Sequence, residues 1–155
     1  MAALPDGREL ARLTTLMYRH ILVAIENSAA DRAIVEHVAR LAELTKARLL
    51  LVHVADGWAA RHFQQLNLRE SEEMQADRAY LDSLRAELEG RGLTVDTRLA
   101  MGNPADELIK VTAETDVDLV AMSTHGHRFL ADVLHGTTVD RVRHLVKVPV
   151  LLVRG

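Results

Sequence analysis

Five short apolar runs recur along the chain, separated by stretches whose apolar positions repeat at helical spacing. HILVAI (20–25) and ARLLLVHV (47–54) are rich in branched side chains and show little polar alternation. That is the pattern of strands buried on both faces of a parallel sheet. TVDTRLAM (94–101) alternates more, as an edge strand does, and VDLVAMS (117–123) and VPVLLV (148–153) complete the set. After the first run, Ser28 is placed to cap a helix carrying Ile34, Val38, Leu41 and Ala42 on one face. A second helix is predicted over about 70–89, with Met74, Leu81, Leu84 and Leu88 on its inner stripe and Gly90 and Gly92 ending it. GNPADELIKVTAET opens a third, with Asn103 as cap, Pro104 at the first helical position and acids in the first turn. A fourth is predicted from about Thr137 to Val146, and 55–71 reads as a long connection. Strands alternating with helices predict an α/β domain: one open parallel sheet of five strands, covered by helices on both faces through right-handed crossovers. The pattern leaves the strand order open.

Composition narrows the function. At 155 residues the chain is long enough for one domain with a core of its own. A net charge of −3 exerts no general pull on nucleic acid or an anionic membrane, and one Trp, two Tyr and two Phe are too few for a base-stacking platform. The absence of cysteine excludes disulfides, thiolate metal sites and cysteine nucleophiles, and it fits the cytoplasm. No apolar run approaches the roughly 20 residues of a membrane helix. The opening MAALPDGRELARLTTLMYRH lacks the apolar centre of a secretion signal; Leu10, Leu13 and Met17 are spaced to share one helical face, and a short accessory helix and a frayed tail both fit it. Residues 1–18 are therefore set apart as an extension from a domain over 19–155.

The stretch STHGHRFLADVLHGTT (123–138) connects the fourth strand to the last helix. Gly126 lies just beyond the strand and Gly136 where the next helix is expected to start. At both, the missing Cβ allows close approach of a ligand. Thr137 and Thr138 add hydroxyls and N–H groups at an expected helix N-terminus, where unpaired N–H groups and the positive end of the dipole attract anions. A phosphate cradle and an ordinary capped loop are both consistent with these residues alone.

STHG, nine residues and then GT resemble the ATP-binding signature of the universal stress protein family, Gly-x-x-Gly-x9-Gly-Ser/Thr. Gly126, Gly136 and Thr137 match its second glycine, third glycine and hydroxyl, while Ser123 stands in place of the first glycine. HILVAIENS, GNPADELIKVTAETDVDLVAMSTHG and VKVPVLLV are similar to further blocks of the family, so the resemblance spans roughly His20 to Val153. It implies a Rossmann-like, adenine nucleotide α-hydrolase-like sheet of order 3-2-1-4-5, with the ligand crevice between strands one and four. It also implies ATP, with Mg2+, as ligand. The phosphates would lie against Ser123, Gly126, His127, Arg128, Gly136, Thr137 and Thr138, and the adenine and ribose against Ala24, Ile25, Glu26 and Val54. Glu26 replaces the family's aspartate. A homodimer through the last strand (148–153) is a further implication.

Other constellations carry less. His125, His127, His135 and His144 lack the i, i+4 spacing and acidic partner of a zinc site and read as loop histidines. Asp31, Glu36, Glu43 and the RESEEMQADR run (69–78) read as solvated acidic faces. There is no Gly-x-Ser-x-Gly elbow, no Gly-x-Gly-x-x-Gly, and ENSAAD lacks the glycines of an ATP pyrophosphatase loop. No catalytic residue is therefore assigned. The expectation is a nucleotide-binding stress or regulatory protein with slow or no ATP hydrolysis, against a non-ATP-binding interaction module of the same fold, or a true ATPase or nucleotidyl transferase.

Overall fold

The first strand explains the rest of the architecture. In the computed structural model, β1 (His20–Ile25) is buried along its whole length, so it needs neighbours on both edges and cover on both faces. The structure describes residues 6–15, 17–55, 72–124 and 132–155, with the backbone alone at 13–15 and 132–137. The expected long connection falls on 56–71, outside the described residues apart from Ala55.

β1 pairs in parallel with β2 (Arg48–Ala55) on one edge and β4 (Leu119–Thr124) on the other. β3 (Val95–Met101) and β5 (Val150–Arg154) pair outside these, giving the order β3-β2-β1-β4-β5. The alternating β3 is an edge strand, as its pattern predicts. Around the sheet lie α2 (Asp31–Thr45), α3 (Glu72–Gly90), α4 (Pro104–Glu114) and α5 (Asp132–Leu145). Before β1 lies α1 (Gly7–Thr15), the helical of the two readings open for this segment, and the Asp6 carboxylate accepts the Arg8 and Glu9 N–H groups at its start.

Side-chain alternation splits the core in two. Ile21, Val23, Leu49 and Leu51 pack with Leu81, Leu84 and Leu88 of α3 and with Ile34 and Val38 of α2. Leu22, Ala24, Leu50 and Val52 pack on the other face with Leu108 and Val111 of α4 and Val142 of α5. Asn103 caps α4 by accepting the Asp106 N–H (3.2 Å), with Pro104 at the first position. At the amino end of the sheet the buried His20 ring donates through Nδ1 to Asp116 (2.7 Å), which also meets Arg48. The bond from His20 and the nearby guanidinium hold the Asp116 carboxyl below its ordinary range.

Two local expectations change. Helix α2 starts at Asp31, not directly after Ser28. Its capping residue is Ala30, whose N–H reaches Ser28 Oγ at 3.3 Å. Asn27 takes a left-handed φ of 58°, tightening the turn so that Ser28 lies outside the helix. The last helix begins at Asp132, not Thr137, which places Gly136 and Thr137 in its second turn. Nothing in the sequence between 132 and 136 breaks a helix, an acid favours its first turn, and an interior glycine costs only about 1 kcal/mol.

Candidate functional site

β1 and β4 are neighbours, but the chain leaves them toward opposite faces: α2 packs with the α3 side and α5 with the α4 side. Such a reversal opens a crevice at the carboxyl ends of the strands. Here it holds a cavity of about 370 Å3 on the α4–α5 face. Its floor is apolar, formed by Ala24, Val52 and Met122, with Val54, Ala105 and Leu108 rising at the sides. Polar groups sit among its lining: Glu26 from the end of β1, Asn103 from the start of α4, and Thr138 and Arg141 from α5.

The Arg141 guanidinium is held across the two helices. It donates to Asp106 Oδ1 at 2.5 Å and to the capping oxygen of Asn103 at 3.3 Å. The cavity lining thus carries a cation at one place and the Glu26 carboxylate at another. The turn that presents Glu26 is built by Asp31, whose carboxylate accepts the Glu26 N–H (2.9 Å), the Ser28 N–H (3.1 Å) and the Tyr80 hydroxyl (3.0 Å). Partial burial, reinforced by the Asp31 charge, pushes the Tyr80 phenol up to about 12, so it remains the donor in this bond. Asp31 is only 1% exposed. This corrects its reading as a solvated surface acid, and the same holds for Asp77, at 6%. Helical periodicity put both on acidic faces, yet each is covered by a partner about fifty residues away: Tyr80 for Asp31, and Asn27 for Asp77. Glu36 and Glu43 are half-exposed and paired with Arg91, and the Arg91 bond holds the Glu36 carboxyl below its ordinary range.

The structure brings together Ala24, Ile25, Glu26, Val54 and Thr138 around this cavity. Ser123 lies at the end of β4, buried, with its hydroxyl donating to the Ala30 carbonyl at 3.4 Å, on the side of α2. Gly126, His127 and Arg128 lie outside the described residues, and at Gly136 and Thr137 only the helical backbone is described. Of the four histidines, His144 is exposed and bonds the Asp140 carbonyl of its own helix. Among the described residues no three His, Cys, Asp or Glu side chains are grouped to hold a metal, and no helix is long and apolar enough to cross a membrane.

Sequence reasoning missed Arg141, Asp106 and the second role of Asn103. A signal was present for Arg141, which lies one helical turn after Thr138 and so shares its face. Nothing local marks its pairing with Asp106, thirty-five residues earlier.

The sequence profile of the universal stress protein family matches residues 17–154. The chain belongs to the universal stress protein family. The universal stress protein MJ0577 of Methanocaldococcus jannaschii is 24% identical over 90% of this chain and 97% of its own length. A universal stress protein of Methanothermobacter thermautotrophicus is 31% identical over 89% and 97%. The solved structure of MJ0577 superposes with a TM-score of 0.76 at 25% identity, covering 90% of this chain and 98% of that one. Two further structures share the fold. One is a universal stress protein in complex with cAMP, with a TM-score of 0.65, 20% identity and 88% and 96% coverage. The other is the Archaeoglobus fulgidus protein in complex with dAMP, with a TM-score of 0.64, 17% identity and 89% and 99% coverage.

Proposed function

We propose that this universal stress protein binds an adenine nucleotide, ATP with Mg2+ in its full form, as a stress-response regulator that turns the nucleotide over slowly or not at all. The observation that carries the reading is the cavity at the strand reversal. Its volume lies in the range of small-ligand pockets, with an apolar floor for a flat base and a few polar groups around it. Family members solved with cAMP and dAMP support the choice of adenine. The base would lie on Ala24 and Val54, beside Ile25. Glu26 is the acceptor for the ribose hydroxyls. The phosphates would run toward Ser123, Gly126, His127, Arg128, Gly136, Thr137 and Thr138. Magnesium would be held by the phosphates.

Slow turnover follows from the lining. Glu26 is the only carboxylate among the described residues there, and both ring nitrogens of His53 are already engaged. Among the described lining residues, Glu26 is then the one group able to take a proton from water, and this reading gives it to the ribose. The expected site of action is the cytoplasm. The expected assembly is a homodimer through β5, whose outer edge carries the part-exposed Leu152.

Titration calorimetry with ATP, AMP and cAMP tests the reading, together with mass spectrometry of small molecules released from fresh protein. Ala24→Phe places a ring over the cavity floor and is expected to weaken every adenine nucleotide at least roughly tenfold while leaving the fold intact. A folded Ala24→Phe protein that binds as wild type removes the cavity as the site. A wild-type protein that neither carries nor takes up nucleotide is instead an interaction module of the same fold.

A further inference from the structure

On the α3 face of the sheet a part-buried polar chain reaches the cavity lining at His53, Ile25 and Glu26. His53 stands on β2 in register with Ile25 of β1 and Leu99 of β3. Its Nδ1 donates to the Ile25 carbonyl at 2.7 Å, and its Nε2 meets Asp77 Oδ2 of α3 at 3.2 Å. Asp77 Oδ1 accepts the side-chain N–H of Asn27 at 2.9 Å. The two ionisable side chains are only 12% and 8% exposed. The chain thus runs from α3 to the carboxyl end of β1 and to Asn27, whose left-handed backbone sets the turn after Glu26. Ile25 and Glu26, at the other end of it, line the cavity.

Donors and acceptors constrain this chain. A carbonyl oxygen only accepts, so Nδ1 carries a hydrogen. The ring is thereby fixed between the Ile25 carbonyl and the Asp77 carboxylate. Among the described residues, other polar groups of this region have partners of their own. Asp31 is occupied by two N–H groups and Tyr80, and the Tyr80 hydroxyl points to Asp31. Glu26 engages Ser28, and Arg32 pairs with Glu87 at the surface. From β3, Leu99 faces the pair in register without charge.

We propose that His53 and Asp77 are positioning residues for the nucleotide site. Through the hydrogen-bonded chain Asn27–Asp77–His53–Ile25 they hold the Ile25–Asn27 segment in the shape that presents Glu26 to the ligand. This rests on the reading of the cavity as an adenine-nucleotide site. The test is ATP titration on wild type, Asp77→Ala and Asp77→Asn, with circular dichroism confirming the fold. Asparagine accepts from Asn27 and donates an amide N–H to Nε2, so it keeps the chain that alanine breaks.

Asp77→Ala is expected to weaken ATP about tenfold, as for the loss of one well-made hydrogen bond. Asp77→Asn is expected to bind near wild type, because the amide keeps both bonds of the chain. A folded Asp77→Ala protein that binds ATP as wild type overturns the proposal. So does a folded Asp77→Asn protein that binds ATP at least about tenfold more weakly than wild type, a result that decides the matter even where Asp77→Ala does not fold. Wild type that takes up no ATP removes the nucleotide reading itself, which separates the two failures.

Discussion

Removing the Asp31 carboxylate should unfold this protein at a much lower temperature, out of proportion to a one-residue change beside a turn. The side chain is 1% exposed and accepts three hydrogen bonds, from the Glu26 and Ser28 N–H groups and the Tyr80 hydroxyl. Bonds to a charged acceptor contribute about 1.5–3 kcal/mol each, but they share one acceptor and do not add in full. Ser28 is exposed and its N–H regains water, whereas Glu26 and Tyr80 are half-buried and recover less. Asp31→Ala is therefore expected to cost about 3–5 kcal/mol, near the range for breaking a buried polar partnership. At roughly 2–4 °C per kcal/mol for a chain of this size, the unfolding midpoint should fall by about 6–20 °C. Tyr80→Phe removes one partner and should cost about 1 kcal/mol. The double variant should show a coupling of at least about 0.5 kcal/mol. Thermal unfolding by circular dichroism gives all three values. A folded Asp31→Ala protein melting within about 2 °C of wild type would refute the claim that this carboxylate holds the turn.

Three further outcomes are expected. The Tyr80 phenol is raised from 10.0 to about 12 in the folded state, so its contribution to stability is fully present below pH 10 and is lost as pH climbs toward 12. Alkaline unfolding curves of Tyr80→Phe should lack that loss, and curves that match wild type would show that the phenol is not held. ATP with magnesium at a hundredfold excess over Kd should add about 2.7 kcal/mol and raise the midpoint by roughly 5–11 °C, read by differential scanning calorimetry. A shift below about one degree favours the interaction-module reading. Leu152, 37% exposed on the outer strand β5, should support a two-fold interface. Light scattering should then find wild type dimeric and Leu152→Lys monomeric, and a monomeric wild type would exclude that assembly.

Features that depend on near neighbours were legible in the chain alone. Unbroken apolar runs marked β1 and β2, alternation marked β3 as an edge, and Asn103-Pro104 marked the start of α4, because strand burial and capping are written within a few residues. The strand order came from the family resemblance and not from the pattern, since pairing joins runs that are far apart in sequence. The resemblance likewise placed Ala24, Ile25, Glu26 and Val54 at the crevice. Tertiary structure decided what long-range partners decide. Asp31 and Asp77 sit in helical stretches rich in surface acids, and only folding brings Tyr80 to one and Asn27 and His53 to the other. Arg141 and Asp106 likewise meet only because α4 and α5 pack side by side. Gly136 was misplaced for a related reason. A glycine before Thr-Thr looks like a helix start in isolation, but its cost inside a helix is about 1 kcal/mol, less than a longer helix packed on the sheet recovers.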